Sequence, residues 1–193
     1  MKQKKIQARI GILILIVFAV AFSRLLPYLF GIEEIFNFSP LTAIALFGGA
    51  YFVKKKNALI FPLIALWASN LILDNIFLSQ YYEGFVLFAN WEVYIAILGI
   101  VALAFVLLQK VTLTTVIGTS ILASLTFFIV TNFIVWLNSG IYPRTFAGLG
   151  ECFTLAIPFF RNTLVGDLVF SMLLFGAYEY AATKFPFLKL KTT

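Results

Sequence analysis

The sequence predicts an all-α membrane protein with six transmembrane helices and both termini in the cytoplasm. Two observations carry that fold class. Hydrophobic residues make up 62% of the chain and charged ones only 11%, whereas soluble domains use charge at about a quarter of their positions. The few charges also sort by side. With the N-terminus inside, Lys2, Lys4, Lys5, Arg9, Lys54, Lys55, Lys56, Lys110, Lys184, Lys189 and Lys191 all fall on inner segments, eleven of the fourteen basic residues. Arg24, Arg144 and Arg161 fall on the outer side with every acidic residue except Glu179. Such an asymmetry is what orients membrane helices, with basic loops retained in the cytoplasm. Residues 1–193 read as a single integral membrane domain of the bacterial cytoplasmic (inner) membrane.

The first helix is expected over residues 10–30, where the apolar run reaches the roughly 20 residues a span needs by taking in Ser23, Arg24 and Pro27. The basic start and Ala19-Val20-Ala21 also fit a secretory signal peptide. Arg24 and the continuing Leu25-Leu26-Pro27-Tyr28-Leu29-Phe30 favour a retained helix. A second, short helix follows over 40–53, opened by Ser39-Pro40 and ended by three lysines. Its Ala45 and Gly49, with Gly48 adjacent, offer a small edge for close helix contact. The third helix covers 58–76 and places Trp67, Asn70 and Asp74 on one face. The fourth, 93–108, is almost free of polar groups and suits a lipid-facing strut. The fifth, 114–137, carries Ser120, Ser124, Thr131, Asn132 and Trp136. Hydroxyls in membrane helices commonly bond the backbone one turn back, so the two serines read as structural. The sixth is expected over 162–183. The stretch before it, Asn138 to Phe160, reads as a connection that forms, with the mouth of this helix, one wall of a binding site.

Composition excludes several chemistries. Histidine is absent and Cys152 is the one cysteine, so no disulfide, no cysteine-rich metal site and no histidine-based nucleophilic catalysis is supported. No metal ligand set, no cofactor site and no catalytic residue is expected. A phosphate-binding lysine loop is missing, and so is an inverted repeat of the kind secondary transporters carry. The basic residues are dispersed among apolar spans, which argues against nucleic acid as a partner.

The polar residues predicted at membrane depth gather toward the outer helix ends: Arg24, Asn70, Asp74, Asn132, Arg161, Asn162 and Asp167. Ionisable groups at that depth cost roughly 3 kcal/mol each on insertion scales and face an interior or a cavity. They are open to two roles, as buried ion pairs that lock the bundle or as the floor of a ligand cavity. The outer connections supply aromatic, amide and cationic groups: Asn37 and Phe38 in one, Tyr142 and Arg144 in the other, with Trp67 and Trp136 at the helix ends. That mixture suits a planar small molecule, or equally an interfacial aromatic belt. Cys152 fits a packing residue or an outward thiol beside the pocket.

The runs NFSPLTAIALFGGAYF (Asn37 to Phe52) and AIPFFRNTLVGDLVFSMLLFG (Ala156 to Gly176) resemble an uncharacterised bacterial family of small membrane proteins. That family is in turn similar to the S components of energy-coupling-factor (ECF) vitamin transporters. The resemblance implies a six-helix S-component-like bundle that captures a vitamin-like small molecule at its outer face. It also implies partners, an ECF transmembrane subunit and two ATPases, besides the lipid bilayer. One departure stands out: Ala19-Val-Ala-Phe-Ser23 takes the place of the Ala-x-x-x-Ala docking motif, which leaves room for a solitary member. The expected function is therefore uptake of a vitamin or cofactor precursor by a binding bundle without chemistry of its own. The rivals are a structural or assembly membrane protein and an intramembrane enzyme using Asp74 and Asp167.

Overall fold

The computed structural model describes residues 2–31 and 39–189. Among these the chain is helical, with no strand. Helix α1 (Lys2–Phe22) runs through a 3-10 turn, Ser23–Leu25, into the short α2 (Leu26–Leu29). Then come α3 (Leu41–Tyr51), α4 (Lys55–Ile72) with a π turn at Leu73–Phe77, α5 (Trp91–Leu107), α6 (Leu113–Asn138) and α7 (Phe146–Lys184). A 3-10 turn, Pro186–Lys189, ends the described chain. Four stretches are long and apolar enough to cross a membrane: Gln3–Leu29, Lys55–Phe77, Leu113–Asn138 and Phe146–Lys184. Helices α3 and α5 are apolar but shorter.

The bundle is built around α3. Every residue from Leu41 to Gly49 is buried, because α1, α4, α5, α6 and α7 all pack against this one rod. The small edge read from the sequence does what such edges do, letting backbones approach closely. A Cβ on Gly48 would lie 2.8 Å from Pro62 Cγ, and one on Gly49 would run into Ala104 Cβ. The two glycines thus seat α3 against α4 on one side and α5 on the other. Below them Phe47, Tyr51, Phe175 and Tyr178 form an aromatic cluster with ring centroids 4.3–5.6 Å apart.

Helix α5 departs from the lipid-facing strut expected of it. Ala96, Ile97, Ile100, Val101 and Ala104 are buried against α3 and α6, while Ile95, Leu98 and Val106 look outward. A helix apolar all round gives no moment by which to tell its two faces apart.

The last helix differs most from expectation. The predicted connection from Asn138 to Phe160 is mostly helix, and α7 begins at Phe146 instead of 162. Thr145 caps it, accepting from Gly148 N at 3.2 Å, and Pro158 sits inside it without ending it. Proline removes one ladder bond, and membrane helices tolerate that loss where neighbours and hydroxyls compensate. On either side of Pro158, Thr154 Oγ1 and Thr163 Oγ1 donate to the Gly150 and Phe159 carbonyls, at 2.7 and 3.1 Å; neither is the Thr154 carbonyl that the proline leaves without its ladder donor. At 1.5 Å per residue α7 is about 58 Å long, nearly twice a hydrocarbon core. The connection left between α6 and α7 is residues 139–145.

Candidate functional site

The end of the bundle that carries Arg24, Asn70 and Asn132 holds two separate polar centres. The first is centred on Arg24, which the tight Ser23–Leu25 turn aims at α4. Its Nη1 donates to Asn70 Oδ1 at 2.9 Å and to Ser69 Oγ at 3.0 Å. Asp74, one turn further along and 5% exposed, is attracted by the same guanidinium and hydrogen-bonded by Tyr82. Tyr94 of α5 closes this centre on the far side. Asp74 lies in the π turn, whose Leu78 N donates to Leu73 O at 2.8 Å. Single wide turns of this kind re-aim a side chain within a helix.

Trp67, expected on the same face as Asn70 and Asp74, does not join them. Its ring is 37% exposed and Nε1 donates to Leu87 O at 3.1 Å, fastening the connection after α4. Asn75, which no sequence signal singles out, does the same more firmly. Its Nδ2 donates to Leu71 O at 2.9 Å and Val86 O at 2.8 Å, while Val86 N donates back to its Oδ1 at 2.7 Å.

The second centre lies in the seam between α6 and α7. Asp167 is 1% exposed, and its Oδ2 lies 2.6 Å from Ser124 Oγ. Asp167 Oδ1 has no partner, nor have Thr42 Oγ1, Ser120 Oγ and Ser171 Oγ, all buried. One turn from Asp167 and Ser124, toward Thr163 and Phe128, opens a cavity of about 220 Å³, lined by Val93, Phe127, Phe128, Asn132, Phe160 and Thr163 among others. Asn132 anchors itself on its own helix, Nδ2 to Phe128 O at 2.8 Å, and its carbonyl oxygen accepts from Cys152 Sγ at 3.5 Å. Cys152 is thus a buried packing residue at this seam.

The pairing of two arginines with two aspartates is not what the bundle contains. Arg161 is exposed, six residues from Asp167, and six steps of 100° put the two on different faces of α7. Asn162 is half-buried and bonded. Tyr142 is half-buried and Arg144 exposed in the connection before α7. Trp136 is drawn into that turn, Nε1 donating to Pro143 O at 2.9 Å, which also accepts from Thr145 N at 2.8 Å. Asn37 and Phe38 lie outside the described residues.

Comparison with known families adds one result: the profile of a family of unknown function, DUF6580, matches residues 4–188. The chain belongs to the DUF6580 family. No curated protein and no solved structure matches it.

Sequence reasoning missed two residues of the DUF6580 site. Ser124 was read as a backbone-bonding hydroxyl, and it does lie 3.0 Å from Ser120 O, but it also holds Asp167. Ser69 was not singled out, although it follows Ala68 directly before Asn70 on the face toward α1. No local signal finds Ser124, because its bond to Asp167 spans 43 residues and depends on α6 and α7 becoming neighbours.

Proposed function

We propose that this DUF6580 protein is a membrane-embedded binding subunit for uptake of a small vitamin-like or cofactor-precursor molecule, six-pass and S-component-like, with both termini cytoplasmic. The observation that carries the reading is the cavity between α5, α6 and α7, walled by aromatic rings and the amide of Asn132. One turn beneath it is a fully buried aspartate with one oxygen held and the other unpartnered. Aromatic walls with a few convergent polar groups are the usual make-up of a small-molecule pocket. A buried carboxylate oxygen without a partner costs about 1–3 kcal/mol, which a ligand or an ordered water that donates to it would recover.

The six-pass arrangement draws support from the four long apolar helices and from the two shorter ones, of which α3 is sheathed on all sides by neighbours. Lysines cluster at the ends of α1, α4, α5 and α7 that this topology puts inside. An ECF transmembrane subunit with its ATPases remains part of the proposal as an energising partner, and a solitary mode of action is its alternative.

The experiment is ligand-dependent thermal stabilisation of the purified protein in detergent, screening riboflavin, thiamin, biotin and cobalamin. A binder gains stability by mass action, about 2.7 kcal/mol at a hundred times its dissociation constant. A saturable rise in Tm with one compound, abolished by Asp167→Asn, is expected. A flat response to the whole set favours the assembly-protein reading, which has its own support in the Arg24 centre, where Arg24 is held by Ser69 and Asn70.

A further inference from the structure

At the opposite end of the bundle the two ends of the chain are tied together. Arg9, only 6% exposed, donates from Nε to Leu188 O at 2.7 Å and from Nη2 to Tyr51 O at 2.8 Å. Tyr178 donates to the same Leu188 O at 3.1 Å, and Tyr51 donates to Glu179 Oε1 at 2.6 Å. Beside this knot opens a cavity of about 710 Å³ between α3, α5, α7 and the final turn. Its lining includes Arg9, Lys55, Lys110 and Lys189, and among the described residues Glu179 is its one acid.

Four cations against one carboxylate leave positive charge facing the cavity. The bonds of Arg9 end on carbonyl dipoles, which carry no countercharge, and Glu179 is already engaged by Tyr51. Across Arg9 lies a second, smaller cavity of about 150 Å³ in which Ile6, Ile10, Leu13 and Phe52 take part. A buried arginine therefore stands between a cationic chamber and an apolar crevice.

We propose that the larger cavity is an oxyanion site that takes a phosphate group, supplied either by the headgroup of an anionic membrane lipid or by a soluble phosphate compound. Guanidinium and ammonium donors make charge-assisted hydrogen bonds to phosphate oxygens, and basic pockets between membrane helices at the cytoplasmic face hold anionic headgroups. The apolar crevice beside Arg9 would receive the first carbons of an acyl chain, which favours the lipid as the source. The site is independent of the outer cavity, in residues and in position.

The test measures Tm of the full chain in two settings. In neutral detergent, inorganic phosphate is titrated against chloride at equal ionic strength. In nanodiscs, phosphatidylcholine is compared with phosphatidylcholine containing phosphatidylglycerol. A saturable rise with phosphatidylglycerol alone assigns the lipid, and a saturable rise with inorganic phosphate assigns the soluble ligand. Lys55→Gln and Lys110→Gln, both at exposed positions, should each weaken the apparent affinity roughly five-fold. Absence of a saturable response in both settings, or a full response in the Lys55→Gln/Lys110→Gln double variant, overturns the proposal.

Discussion

Ser124 Oγ lies 2.6 Å from Asp167 Oδ2 across the seam of α6 and α7, joining a fully buried carboxylate of α7 to a neighbouring helix. Removing the hydroxyl strands that oxygen. Ser124→Ala should lower stability by about 1–3 kcal/mol. Adding Asp167→Asn to it should cost less than the two single effects combined, because the pair shares one interaction. Thermal unfolding in detergent of the four members of the cycle checks both; strict additivity would mean the contact contributes nothing.

Arg24 links α1 to α4 through Ser69 and Asn70. Arg24→Gln takes the positive charge away from the neighbourhood of buried Asp74 and removes the charged donor to Ser69 and Asn70; losing a hydrogen bond to a charged group costs about 1.5–3 kcal/mol. The prediction is a marked drop in folded yield for Arg24→Gln and partial recovery on adding Asp74→Asn, read by size-exclusion chromatography. Equal yields in wild type and Arg24→Gln would place Arg24 outside the set of structural contacts.

Gly49 meets Ala104 where α3 crosses α5. Gly49→Ala should cost about 1–3 kcal/mol through overpacking, and Ala104→Gly in the same chain should return most of it. Gly11, with open space around its Cβ position, is the control: Gly11→Ala is expected to be neutral or slightly stabilising, since alanine is the better helix former.

Asn75 and Trp67 hold the backbone of the connection between α4 and α5 at Val86 and Leu87. Asn75→Ala should leave global Tm nearly unchanged while speeding amide exchange at Val86, whose N–H loses its acceptor. Local opening of this kind is separable from global unfolding by native-state hydrogen exchange.

Much of the bundle was readable from the chain because lipid makes apolar length the dominant signal, and the helices expected over 58–76 and 114–137 differ from α4 and α6 by only a few residues. Helix α7 was misread where local and global preferences part. Gly148, Gly150 and Pro158 signal a break in water, yet the helix that starts at the Thr145 cap runs through all three. Placement of the polar groups was only half legible. The spacing of Arg161 and Asp167 already separates them on a helix, whereas the bond from Arg24 to Asn70, 46 residues away, depends on which helices become neighbours. The tie between Arg9 and Leu188 is longer still, and Arg9 reads in isolation as one more orienting charge.

Helix α3 is made early in synthesis, yet four of the five helices that enclose it, α4, α5, α6 and α7, are encoded after it. With 11 residues, about 16 Å of rise, it is too short to settle across a bilayer by itself. Its final position therefore waits on the ribosome finishing the C-terminal half, and a nascent chain arrested before Trp91 would have α4 against Gly48 but leave the face of Gly49, which meets Ala104 of α5, in want of a shield, open to membrane quality control.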